Sequence, residues 1–131
     1  MSLQAAFLNV PPVQQRERIP MSVIEALVQH IAEHFAPEKI ILFGLYAYGQ
    51  PTRWSDVDLL VVMDTPPGKE METMMTIMKS ISPRPFSIDV IVRSQAAIDR
   101  RIPLGDWFLK ETISKGKVLY ERTDSQVGQQ S

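Results

Sequence analysis

Asp56, Asp58 and Asp89 are the residues of this chain that folding alone explains least. Asp56 and Asp58 lead into Leu59-Leu60-Val61-Val62-Met63, a run that reads as a strand from Asp56 to Met63, apolar on both faces. Side chains alternate along a strand, so these two carboxylates share a face. Asp89 interrupts a second apolar run, Phe86 to Val92, with Ile88, Val90 and Val92 on one face and Ser87, Asp89 and Ile91 on the other. If the two strands are neighbours, the acids meet. Carboxylates within about 4–6 Å raise one another's pKa, and a bound hard cation keeps such a group ionised. Carboxylate oxygens suit Mg²⁺, with Mn²⁺ a substitute. Two such ions about 3.5–4 Å apart clamp the attacking and leaving oxygens of a phosphoryl or nucleotidyl transfer. Asp56, Asp58 and Asp89 are therefore candidate metal ligands and catalytic residues, against the plainer use of acids as solvated or ion-paired strand ends.

The stretch ahead of Asp56 supplies the complement. Gly44 directly follows the apolar run Ile40-Ile41-Leu42-Phe43, and Gly49 lies five residues later. Glycine lets backbone approach a ligand, and backbone N–H groups at a turn entering a helix suit a triphosphate. Gly44, Leu45 through its N–H, Gly49, Arg53 and Ser55 are the candidate nucleotide-binding residues. Tyr46 and Tyr48 either stack on a base or pack the loop.

Several elements must position these groups. Ser22 with Glu25 reads as a capping box ahead of an apolar stripe, Ile24, Leu27, Val28, Ile31 and Phe35, which Pro37 ends. Lys39 to Phe43 reads as a buried strand. Met71, Met74, Met75 and Met78, widened by Ile77 and Ile81, form a second helical stripe expected in the core. Ser94 is a helix cap, a further helix spans Asp106 to Ser114, and Lys117 to Glu121 is an edge strand. Pro11, Pro12 and Pro20 mark residues 1–20 as an irregular arm. Residues 21–121 form the domain and 122–131 a frayed tail. Helices alternating with short buried strands indicate α/β or α+β, a small mixed sheet flanked by helices.

Composition narrows the classes. The 131 residues suit one domain. There are no cysteines, which excludes disulfides and thiol chemistry. With 14 basic and 15 acidic residues the net charge is −1, so no strong intrinsic nucleic-acid binding is expected. No apolar run approaches the roughly 18 residues of a membrane span and no secretory leader is evident, so a cytoplasmic protein is expected. His30 and His34 are spaced for zinc, without a third ligand nearby.

The order Phe43-Gly44-Leu45, ten residues ending in Ser55, Asp56-Val57-Asp58-Leu59-Leu60-Val61-Val62, and later Ile88-Asp89-Val90-Ile91 resembles the DNA polymerase beta-like nucleotidyltransferases, in particular the minimal nucleotidyltransferase (MNT) domains. The likeness runs from about Ile24 to Tyr120. It implies a polymerase beta palm-like fold, Mg²⁺, and transfer of a nucleoside monophosphate, AMP above all, from an NTP to a hydroxyl on a protein or small acceptor. It makes Asp56 and Asp58 metal ligands and Asp89 the third acid, serving a metal or the acceptor hydroxyl. It also implies a helical HEPN-type partner in a toxin–antitoxin pair, and is compatible with a homo-oligomer. One departure stands out: the family serine after the glycine is Leu45 here. Loss of a hydrogen bond to a charged group costs about 1.5–3 kcal/mol. The alternative is therefore a catalytically weakened domain that works as a partner-binding, antitoxin-like protein.

Overall fold

The computed structural model describes residues 2–123. Two apolar layers enclose a four-stranded mixed sheet. Its strands are β1 (Lys39–Phe43), β2 (Val57–Val62), β3 (Ile88–Arg93) and β4 (Lys117–Glu121), in spatial order β3-β2-β1-β4. β1 runs antiparallel to β2 and β4, and β2 runs parallel to β3. A parallel pair needs a crossover, and helix α4 (Glu70–Ser80) supplies it. The two apolar runs of the sequence take the two inner positions, β1 and β2, where both faces are covered.

On one face Ile40, Leu42, Leu59, Val61 and Val90 pack with Ile24, Leu27 and Ile31 of helix α2 (Met21–Phe35) and Ile77 of α4. On the other, Ile41, Phe43, Leu60 and Val62 meet Ile98 of α5 (Gln95–Arg101) and Leu109 of α6 (Trp107–Lys115). Each of these two short helices carries a side-chain cap at its start: Ser94 Oγ accepts from Ala97 N at 3.0 Å, and Asp106 Oδ1 accepts from Leu109 N at 3.0 Å. The expected small mixed sheet flanked by helices is thus the observed architecture. No helix among the described residues is long and apolar enough to cross a membrane.

Several local expectations are corrected. The segment read as an irregular arm holds helix α1 (Leu3–Leu8) and a 3₁₀ turn, Val13–Gln15. Ser2 caps α1, Leu3 and Ala6 are buried, and Phe7 stands edge-on to Phe86 at 5.6 Å. The prolines follow this helix rather than interrupt it, and six residues hold as helix because packing, not propensity, stabilises so short a piece. Ser22 does not cap α2: Pro20 occupies that position, and its carbonyl accepts from Val23 N and Ile24 N. Proline's preset φ suits a helix start. β3 begins at Ile88 rather than Phe86.

The methionine stripe also divides. Ile77 and Ile81 are buried and Met74 and Met78 pack against their layer, but Met71 and Met75 are exposed. At about 100° per residue, Met75 sits about 160° around the helix from Ile77, so one face cannot bury both. Of the tail expected at 122–131, residues 124–131 lie outside the described residues.

Candidate functional site

The sheet's register brings the acids together. Asp58 of β2 pairs with Asp89 of β3 in the parallel ladder, and paired positions share a face. Asp56 precedes β2 by one residue, on the same side as Asp58 by alternation. A compact turn delivers it: Ser55 N donates to Thr52 O at 3.1 Å and Thr52 N to Ser55 Oγ at 2.8 Å. One carboxylate oxygen from each of Asp56, Asp58 and Asp89 lies within 4.8 Å of the others.

No basic side chain among the described residues neutralises this cluster. The ion pairs among those residues are Lys39–Glu121, Lys69–Glu72, Arg101–Asp106 and Lys115–Glu111, and none involves the three acids. Ion pairing as a structural use for them is thereby removed. Burial, then the charges of Asp89 and Asp56, push the Asp58 carboxyl up to about 6. An all-oxygen donor set under like-charge repulsion fits a hard divalent cation.

Gly44 belongs to the same construction. Its φ is +72°, and a Cβ built there would collide with Asp58 Oδ2. The glycine therefore leaves room for the carboxylate and supplies a backbone conformation other residues rarely adopt. From Gly44 the chain enters α3 (Leu45–Tyr48), a single helical turn, in keeping with the expected turn entering a helix. Leu45 is exposed, and its Cδ2 fills the space a side chain at Gly49 would need.

The remaining candidates have defined places. Arg53 Nη1 donates to Gln14 O at 3.3 Å, so its guanidinium engages the N-terminal segment, and Ser55 Oγ closes the turn before Asp56. Tyr46 packs the loop: it is buried, and its hydroxyl accepts from Ile19 N at 2.9 Å. Tyr48 is exposed, with the Lys115 ammonium 5.9 Å from its ring. His30 and His34 stack at 4.2 Å, and no third ligand group joins them among the described residues.

Sequence reading misses the aromatic border of the site. Phe43 is the antiparallel partner of Asp58, and Phe108 stands edge-on to Phe43 at 5.3 Å, half-exposed. Its only sequence signal is that adjacent Trp107 and Phe108 cannot both be buried on one narrow helix face. A separate cavity of about 680 Å³, lined by α1, His30 and residues 80–85, contains none of the acids. Its walls belong to the opposite side of the sheet, so size alone does not locate the chemistry.

The raised Asp58 carboxyl predicts a pH effect on stability. Its folded-state pKa exceeds the ordinary 3.8, so without metal the folded protein holds a proton the unfolded chain has lost. That contribution is complete below about pH 4 and disappears as pH rises through about 6. Screening by water at a half-buried site reduces it to about 1 kcal/mol. Asp58→Asn should therefore gain on wild type by about 3 °C in Tm between pH 4 and pH 7. Thermal melts in EDTA check this, and a constant difference between the two proteins would contradict it.

The family model described as "Polymerase beta, Nucleotidyltransferase" matches residues 25–125. A Methanocaldococcus jannaschii protein named "putative protein adenylyltransferase" is 32% identical over 84 residues, 63% of this chain and 78% of that protein. A "putative nucleotidyltransferase" from Sulfolobus solfataricus shares the fold at a TM-score of 0.56, with 18% identity, over 93% of this chain and 89% of the other. A chain from a toxin–antitoxin structure with AMP-PNP superposes more loosely, at a TM-score of 0.48 and 19% identity over 79% of this chain and 77% of that one.

Proposed function

Because the chain belongs to the polymerase beta nucleotidyltransferase family, we propose that it transfers a nucleoside monophosphate, AMP above all, from an NTP to a hydroxyl on a protein or small acceptor. The observation that carries this reading is the set of three carboxylates whose oxygens lie within 4.8 Å without an ion-pair partner among the described residues, beside a glycine that makes room for one of them. The choice of AMP and of a protein acceptor is supported by the name of the Methanocaldococcus relative.

In this reading Asp56, Asp58 and Asp89 hold Mg²⁺ or Mn²⁺. When bound, the metal supplies positive charge to phosphate oxygens and to the developing charge of the transfer. The acceptor oxygen attacks the α-phosphorus as the bond to the β-phosphate oxygen breaks, and pyrophosphate leaves. A carboxylate oxygen of Asp89, the exposed acid on the outer strand, takes the hydroxyl proton. The Gly44–Leu45 backbone and Gly49 line the phosphate side, while the turn at Arg53 and Ser55 sets the position of Asp56. Phe108 against Phe43 provides an apolar wall beside Asp58 for a base or an acceptor surface. A HEPN-type helical protein as that acceptor, in a toxin–antitoxin pair, is the finer form of the proposal, and exposed Trp107 on α6 offers a contact for it.

Leu45 favours a second reading, a partner-binding domain with weakened chemistry, because its side chain carries no hydroxyl for the phosphates. Incubation with each NTP, Mg²⁺ and candidate acceptor proteins, followed by intact mass measurement, distinguishes the two. One nucleotide adduct on the acceptor is expected, and Leu45→Ser should form it about tenfold to a hundredfold faster. No adduct from either protein, with acceptor binding retained, would favour the binding module.

A further inference from the structure

Arg16 lies in a polar stretch that has no role in the chemistry above. Its guanidinium nevertheless joins three separate backbone segments. Nη1 donates to Pro11 O at 3.1 Å and to Pro85 O at 3.2 Å, and Nη2 donates to Arg53 O at 3.5 Å. Pro85 stands four residues before Asp89, and Arg53 three residues before Asp56. The two loops leading to acids on different strands are thus tied by one side chain. Neighbouring contacts strengthen the tie: Arg53 Nη1 returns to Gln14 O at 3.3 Å, Ile19 N donates to Tyr46 Oη at 2.9 Å, and the Arg18 guanidinium lies 5.1 Å from the Tyr46 ring centre.

Arg16 forms no ion pair among the described residues, so backbone carbonyls are what its charge serves. A charged donor makes stronger hydrogen bonds than a neutral one. A planar five-donor fork reaches divergent carbonyls that a compact ammonium cannot reach together. The first rung between β2 and β3 below this clasp is Val57 N to Ser87 O at 3.0 Å. That rung is the first of the β2–β3 ladder, so it is the backbone bond nearest the loops that the clasp holds together.

We propose that Arg16 is a positioning residue that holds the loop before Asp56 to the loop before Asp89 and thereby sets the spacing of the acid cluster. Its consequence for metal binding rests on the reading of that cluster as a metal site. The full-length variants Arg16→Lys and Arg16→Gln test it by amide hydrogen exchange without metal, Mn²⁺ titration and thermal melting. Val57 should exchange about tenfold faster in both variants, while Leu60 deep in β2 keeps its protection. Mn²⁺ affinity should fall about tenfold, with Tm changed by only a few degrees. Unchanged Val57 exchange would overturn the proposal, as would an equal loss of protection at Leu60, which marks general destabilisation. If wild type itself binds no Mn²⁺, the metal reading fails, while Val57 against Leu60 still decides the clasp.

Discussion

Asp56→Asn combined with Asp58→Asn is expected to lower nucleotidyl transfer by at least about a thousandfold while leaving the protein folded. The two effects separate because these acids have little structural use. Neither has an ionic partner among the described residues, and Asp56 is exposed. Asparagine keeps the side-chain shape and removes the charge that would hold a divalent cation. At neutral pH without metal the double variant should melt no lower than wild type, because the cost of burying the Asp58 charge, and after it the repulsion from Asp89 and Asp56, has gone. Stabilisation by added Mg²⁺ should also disappear, since a ligand stabilises only the state that binds it. The checks are the mass assay for adducts and melts with and without Mg²⁺. Transfer at the wild-type rate by this variant would remove Asp56 and Asp58 from the mechanism.

Gly44→Ala should cost about 2 kcal/mol of stability and most of the metal affinity. Two causes add. The backbone at φ +72° and ψ −157° lies where side chains are strained, worth about 1–3 kcal/mol. The new methyl would also occupy the place of Asp58 Oδ2, so the carboxylate must move. Gly68→Ala separates the causes, because Gly68 has φ +78° and a methyl there would meet nothing within 4 Å. It should lose stability from strain alone and transfer nucleotide normally. Denaturant unfolding and Mn²⁺ titration of both variants read this out. Equal metal affinity in Gly44→Ala and wild type would show that the carboxylate does not need that space.

Much of the fold is legible in particular residues. Leu59 to Val62 are apolar without alternation, which marks a strand covered on both faces, and β2 occupies such a position. The expected Lys117–Glu121 edge strand forms with those bounds. The resemblance carried by Gly44, Asp56, Asp58 and Asp89 is matched by the family model over residues 25–125. Other features are not local. α1 is too short to hold by propensity, and its burial depends on α2 and Phe86. The division of the methionines depends on which face of α4 meets the sheet. Arg16 lies 69 residues from Pro85 and 37 from Arg53, so no spacing rule reveals it.

The sequence by itself determined that Asp56 and Asp58 share a face, because alternation along a strand is a local property of the backbone. It also determined that an apolar run with a glycine at its end precedes them. Only the tertiary structure decided that Asp89 completes the cluster, since strand order and register depend on how both faces of the sheet are buried. It alone decided that Gly44 makes room for the Asp58 carboxylate, that no basic side chain among the described residues neutralises the acids, and that Arg16 binds their two loops together. Each of these is a meeting of groups far apart in the chain, and only the packing of the whole sheet brings them within reach.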